Sequence, residues 1–186
     1  MREIPLTKGY IALVDDDDYE RVAAFKWSAL VIKEKYRPRI YGMRASEWNP
    51  ETRRYGKYIY LHRFIIDAPV GASVDHKNGD GLNCQKYNLR LATASQNSAN
   101  NRRAVGKTGF RGVTIDSGSP IAQIAGKRIG AFKTTEDAAR AYDASAVEKF
   151  GEFARLNFPH EHGHAAPTAG ANDERLNVKG KESWLL

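Results

Sequence analysis

Asp75 and His76 stand side by side at the end of a short apolar alternation, Ser73-Val74-Asp75-His76. A turn-forming cluster, Lys77-Asn78-Gly79-Asp80-Gly81, follows them. Then come Asn88-Leu89-Arg90-Leu91-Ala92-Thr93 and, a few residues on, Asn97. A neutral imidazole near its ordinary pKa of about 6.5 takes a proton from water at physiological pH. One carboxylate and one amide oxygen can hold a hard divalent cation while leaving it several waters. A base beside such a cation is the equipment of phosphodiester hydrolysis.

Taken singly, each residue has a plainer use. His76 could be a turn histidine and Asn97 a helix-surface amide. The order strand, loop, strand, helix is what brings them to one point. Leu89–Thr93 reads as the second strand, and Ala94–Arg102 as a helix rich in Asn. Asn97, Asn100 and Asn101 share one face of that helix by three- and four-residue spacing.

The 186 residues suffice for one ordinary domain or two to three small ones. Hydrophobic residues make up 41%, enough for compact cores. No apolar run approaches a membrane span, so no membrane partner is expected. The start, Met1-Arg2-Glu3-Ile4-Pro5, has no apolar core like that of a secretory signal. The single cysteine, Cys84, excludes an internal disulfide and a Cys-x-x-Cys knuckle. The expected compartment is a reducing cytoplasm. A net charge of +7 and a pI near 9.5 point to a polyanionic partner, nucleic acid before membrane. No protein partner is inferred, and oligomeric state stays open.

Between Lys33 and Arg63 there are nine Lys or Arg against three Glu, with Tyr36, Tyr41, Trp48, Tyr55, Tyr58 and Tyr60 interleaved. Arg37–Arg44 and Tyr55–Phe64 alternate as strands do, around a turn at Asn49-Pro50. Two readings stand for this stretch: a grip on a phosphate backbone, or a solvated sheet face with its aromatics packed inside. Upstream, Ile11–Val14 reads as a strand, Asp15–Phe25 as a helix and Trp27–Ile32 as a strand. The run Asp15-Asp16-Asp17-Asp18 is expected to cap that helix and favour its dipole rather than bind a cation.

The expected fold class is α+β. Residues 1–57 form a β-rich N-terminal α+β lead-in, 58–103 the unit with the acid-histidine pair, and 104–108 a basic linker. Residues 109–159 form a three-stranded antiparallel sheet packed on one helix, and 160–186 a disordered tail. Gly109–Val113, Ile121–Ile124 and Lys127–Phe132 supply the strands. The helix Glu136–Phe150 starts at Thr134 with Asp137. In the tail, His160, His162 and His164 could chelate a metal, but their Ala, Pro and Gly neighbours favour disorder.

The combination Leu61-His62-Arg63, Asp75-His76-Lys77-Asn78-Gly79, Asn88-Leu89-Arg90 and Asn97 resembles the HNH nucleases, in the branch of phage and mobile-element homing endonucleases. The resemblance covers roughly 45 residues and rests on several positions at once. It implies a ββα-metal unit, a β-hairpin and helix gripping one Mg²⁺ or another divalent cation such as Mn²⁺. It implies His76 as general base, Asp75 and Asn97 as metal ligands, and Asn88 as the residue that ties the loop so that His76 is aimed. His62 and Arg63 match a frequent His-Arg pair assigned to DNA contact. The missing Cys-x-x-Cys ribbon makes any metal catalytic rather than structural. The same resemblance makes the expected compartment that of a bacterial or phage-infected host cell.

Residues 109–159 carry a second resemblance. Phe110-Arg111-Gly112-Val113, Lys127-Arg128-Ile129-Gly130-Ala131-Phe132, Glu136–Asp143 and Gly151–Phe158 are similar to the plant Apetala/ethylene-response-factor DNA-binding domain. That family lays its sheet in the major groove, which implies DNA contacts from Arg111 and Arg128; Lys127 beside them and Gln123, which could read adenine, are further candidate DNA contacts. The second strand departs from the pattern, with Ser119-Pro120-Ile121-Ala122-Gln123 where that family has a Trp and often an Arg. A protein-interaction module of the same fold is the alternative. For the whole chain the expectation is a metal-dependent endonuclease on double-stranded DNA. The rivals are a regulator that keeps the fold without the chemistry and a nuclease for RNA or structured phage DNA.

Overall fold

The computed structural model describes residues 1–33, 38–100 and 105–163. They divide into two compact units. One holds Met1–Ala68 and Asp80–Leu89, the other Pro69–Gly79 and residues 90–163. No helix among the described residues is long and apolar enough to cross a membrane.

The first unit opens with the antiparallel pair β1 (Arg2–Pro5) and β2 (Ile11–Val14). Helix α1 (Asp16–Ala23) follows. Strands β3 (Ser28–Ile32) and β4 (Arg39–Ala45) pair antiparallel. A small exposed hairpin joins β5 (Trp48–Asn49) to β6 (Arg54–Tyr55). Strand β7 (Tyr58–Tyr60) returns to β4, and α2 (Leu61–Ile65) closes the run. The alternation read across Tyr55–Phe64 is therefore not one strand. Leu61, His62 and Ile65 are all buried, a spacing that suits one helical face and not one strand face.

The acidic run anchors a loop instead of capping the helix through the N-cap side chain. Asp15 is the N-cap of α1 but makes no side-chain cap bond. Its carboxylate instead accepts from the Lys86 backbone N–H at 2.8 Å and from Gln85 Nε2 at 3.1 Å. Buried Asp18 pairs with Arg21 at 3.1 Å and Lys86 at 2.9 Å. The start of α1 thus anchors the loop that leads to Asn88. Strand β2 holds the same loop, with Leu13 N donating to Leu82 O and Cys84 N to Leu13 O.

The second unit contains β8 (Ser73–His76), paired with β9 (Leu89–Ala92), and then α3 (Ala94–Ala99). A three-stranded antiparallel sheet follows in the order β10 (Val113–Asp116), β11 (Ser119–Ile124) and β12 (Lys127–Ala131). Both of its hairpins turn on two residues with positive φ, Ser117-Gly118 and Ala125-Gly126. That backbone matches the twist of antiparallel strands, and glycine meets it without a Cβ clash.

Helix α4 (Thr135–Phe150) begins where Thr134 Oγ1 accepts from Asp137 N at 3.1 Å. Its buried Ala138 and Ala139 pack on Val113 and Ala122 of the sheet. Tyr142 and Ala146 pack with Ile124. The expected sheet on one helix is thus present, but Arg111 stands in the turn before β10 and not on a strand.

Fully buried Asp143 clamps the return from α4. Its carboxylate accepts from Asn157 N at 2.8 Å, Asn157 Nδ2 at 3.0 Å and Phe158 N at 2.8 Å. Asn157 in turn grips both backbone groups of Arg111. Asp143→Ala strands these donors and is expected to lower unfolding free energy by about 3 kcal/mol. Urea denaturation with an unchanged slope is the check.

Candidate active site

The second unit brings Asp75, His76, Arg90, Asn97 and Asn100 into β8, β9 and α3. A capping box sets where α3 starts. Thr93 Oγ1 accepts from Gln96 N at 3.2 Å, and Gln96 Oε1 accepts from Thr93 N at 2.8 Å. Fixing the first turn fixes the phase of the face that carries Asn97 and Asn100, three residues apart.

Asn100, the C-cap of α3, is the residue that reaches β8. It is buried, and its Nδ2 lies 2.9 Å from Asp75 Oδ1, 3.0 Å from Asp75 Oδ2, 2.8 Å from His76 O and 3.3 Å from Lys77 O. The His76 carbonyl also accepts from Gly79 N at 2.7 Å, which closes the turn after the histidine. One amide therefore ties the helix end to Asp75, to the backbone of His76 and to the turn after it.

Arg90 completes the surroundings of Asp75. Its Nε and Nη2 each stand 2.8 Å from Asp75 Oδ2. Asp75 is buried, so this bidentate cation offsets a charge that would be costly alone. Among the described residues Oδ1 accepts from Asn100 alone and keeps lone-pair capacity. Asn97 is half-buried, and its side chain bonds no described residue, leaving its amide oxygen available.

No group of three His, Cys, Asp or Glu stands together among the described residues. A cation here would rest on one carboxylate and an amide oxygen, with water filling the remaining positions. These hard oxygen donors fit a hard divalent cation such as Mg²⁺ or Mn²⁺.

In the first unit Asn88 is buried and works on its own loop. Its Nδ2 donates to Asn83 O at 2.7 Å and its backbone N–H to Gln85 O at 2.9 Å. His62 is not presented at the surface. It packs against the rings of Tyr60 and Tyr41, at centroid distances of 5.4 and 5.7 Å. Burial, with Arg63 adding to it, lowers its pKa to about 4. The imidazole is thus enclosed among aromatic rings. Arg63 is half-buried and its Nη2 donates to Ala68 O at 3.2 Å.

On the sheet, Gln123 and Arg128 are exposed cross-strand partners, with exposed Lys127 beside them. Arg111 is half-buried. Its guanidinium bonds the Tyr142 phenol, where burial raises the pKa and the arginine opposes that rise.

The residues that motif reading passed over are Arg90 and Asn100. Arg90 was visible only as the third letter of Asn88-Leu89-Arg90. Asn100 was visible as a neighbour of Asn97 on one helix face. Thr93-Ala94-Ser95-Gln96, a capping-box pattern, was the available signal for the phase of that face.

Two stability measurements separate these roles. Asn100→Ala leaves buried acceptors without their donor and is expected to cost about 2–3 kcal/mol, while Asn97→Ala stays within about 0.5 kcal/mol of the parent. Thermal and urea unfolding of both variants decide it. The lowered pKa of His62 has a definite sign. Between pH 6.5 and about 4 the unfolded chain binds a proton that the folded chain refuses, so stability falls as pH falls through this window. The loss approaches about 3 kcal/mol near pH 4. A His62→Phe variant should flatten that part of a melting-temperature profile.

Comparison with known proteins gives a family for the chain. The profile of the HNH endonuclease family matches residues 60–99. An uncharacterized HNH endonuclease of Acanthamoeba polyphaga mimivirus is 33% identical over 158 residues, which span 81% of this chain and 76% of the viral protein. No solved structure gives a significant match. The matched segment contains Asp75, His76, Asn88, Arg90 and Asn97, and the viral relative extends the likeness over most of both chains. This chain therefore belongs to the HNH endonucleases and is an endonuclease.

Proposed function

We propose that this endonuclease hydrolyses phosphodiester bonds of double-stranded DNA with a ββα-metal unit built from β8, β9 and α3. We take it to be of the homing type, with the C-terminal sheet and helix as an Apetala/ethylene-response-factor-like DNA-binding module. The observation that carries the chemistry is the Asn100 clamp, which locks the helix bearing Asn97 to the strand end bearing Asp75 and His76.

In this mechanism His76 accepts the proton of the attacking water. The neutral imidazole is the reactive form, and the fixed backbone at His76 keeps it at one position. Asp75 and Asn97 would hold a divalent cation, which would supply positive charge for the phosphate and leaving oxygens. Arg90 holds the Asp75 carboxylate in one orientation. Asn88 shapes the loop between the two strands. Arg63, Gln123, Lys127 and Arg128 contact DNA, with Gln123 suited to adenine and Arg128 to guanine. Arg111 divides its role between the Tyr142 phenol and DNA.

A supercoiled-plasmid assay with Mg²⁺ or with EDTA is the direct test. The full chain is expected to nick or cut only with the cation present. His76→Ala should abolish cleavage and leave DNA affinity near the parent value. Asn97→Ala should lose activity at unchanged stability. Parental cleavage by His76→Ala would rule out this mechanism, and a full chain active in EDTA would rule out the cation.

A further inference from the structure

Arg90 has partners on two sides. Towards β8, its Nε and Nη2 bond Asp75 Oδ2. Away from β8, its Nη1 donates to the backbone carbonyl of Glu152 at 2.9 Å and to the Glu152 carboxylate at 3.2 Å. The guanidinium carbon lies 3.8 Å from the centroid of the Phe153 ring. Glu152 and Phe153 belong to the 3-10 turn Gly151–Phe153, which follows α4 in the C-terminal module. Phe153 is buried, and the Arg90 side chain is only 11% exposed.

A guanidinium is planar and presents its donors in a rigid fork. Holding Nη1 and one face of the plane therefore sets the direction of Nε and Nη2. We propose that Arg90 is a positioning residue for Asp75, and that the Gly151–Phe153 turn sets its position. The C-terminal module is then part of the construction of the nuclease centre as well as a means of targeting it. Phe153 fixes the guanidinium, the guanidinium fixes Oδ2, and Oδ1 is the oxygen left with capacity for a cation. A module joined only by a flexible tether would share no such contact with the acid. This inference rests on the reading of Asp75 as a metal ligand.

The test is Mn²⁺ binding to the full chain without DNA, followed by the electron paramagnetic resonance of free Mn²⁺, with thermal unfolding in parallel. Asp75→Asn is measured first and is expected to lose binding; parental affinity in that variant removes Asp75 as a ligand and the proposal with it. Arg90→Lys keeps the charge but not the fork, and Mn²⁺ affinity should fall roughly tenfold, as it does when groups that orient metal ligands are altered. Phe153→Leu keeps an apolar side chain but removes the ring face, and should weaken Mn²⁺ severalfold. Phe153→Tyr keeps the ring and should restore the parental value. If Phe153→Leu does not fold, Arg90→Lys carries the test. Parental Mn²⁺ affinity in Arg90→Lys, with Asp75→Asn defective, overturns the positioning role while sparing the metal reading. Tighter binding in Arg90→Lys overturns it too, since Arg90 would then be competing with the ion.

Discussion

The carboxylate of Asp75 is buried, and a buried charge must be compensated where it stands. Much of the second unit follows from meeting that requirement. Arg90 supplies the opposite charge from β9, and Asn100 supplies amide hydrogens from the end of α3. Two strands and one helix are thereby drawn to a single acid. Because Asn100 also holds the carbonyls of His76 and Lys77, the same bonds stiffen the turn after the histidine. Preorganisation of this kind lets a site act without reordering itself at the moment of reaction.

The C-terminal sheet and helix use a second buried acid for an analogous purpose. Asp143 sits inside α4 with no exposed surface and gathers the backbone of Asn157 and Phe158 beneath it. Small residues at 138, 139 and 146 let the helix lie close on β10 and β11, while the opposite face of the sheet keeps Gln123 and Arg128 in solvent. The two acids are satisfied differently: Asp143 is held mainly by backbone donors, whereas Asp75 is held by the side chains of Arg90 and Asn100.

In the first unit, charges near α1 are put to structural use. Asp15 and Asp18 organise the residues around Lys86, and Asn88 closes the loop from within. The His62 imidazole, desolvated among tyrosines, behaves as an aromatic filler whose protonation opposes folding. The aromatic and basic stretch divides accordingly. Arg44 lies over the Phe25 ring at 3.9 Å, while Trp48 and Tyr55 stack edge to face on an exposed hairpin.

Periodicity and turn chemistry made several elements legible in the chain itself. Ile11–Val14, Ser73–His76 and the start of the long helix at Thr134 all stand where alternation and caps place them. The acid-histidine pair was legible because its residue types and order carry chemistry that local structure alone does not demand. Long-range partners were not legible. Nothing in the spacing of Asp75, Arg90 and Asn100 states that one carboxylate will take both, nor that Glu152 and Phe153 will hold the far side of the guanidinium. Tyr55–Phe64 read as a strand because aromatic and β-branched residues favour strands, yet burial of Leu61, His62 and Ile65 made its end helical. Sequence by itself determined the candidate groups and the short-range elements that carry them, since periodicity and caps act within a few residues. Tertiary structure alone decided which amide, cation and aromatic ring surround the acid, because compensation of a buried charge is a property of everything packed against it.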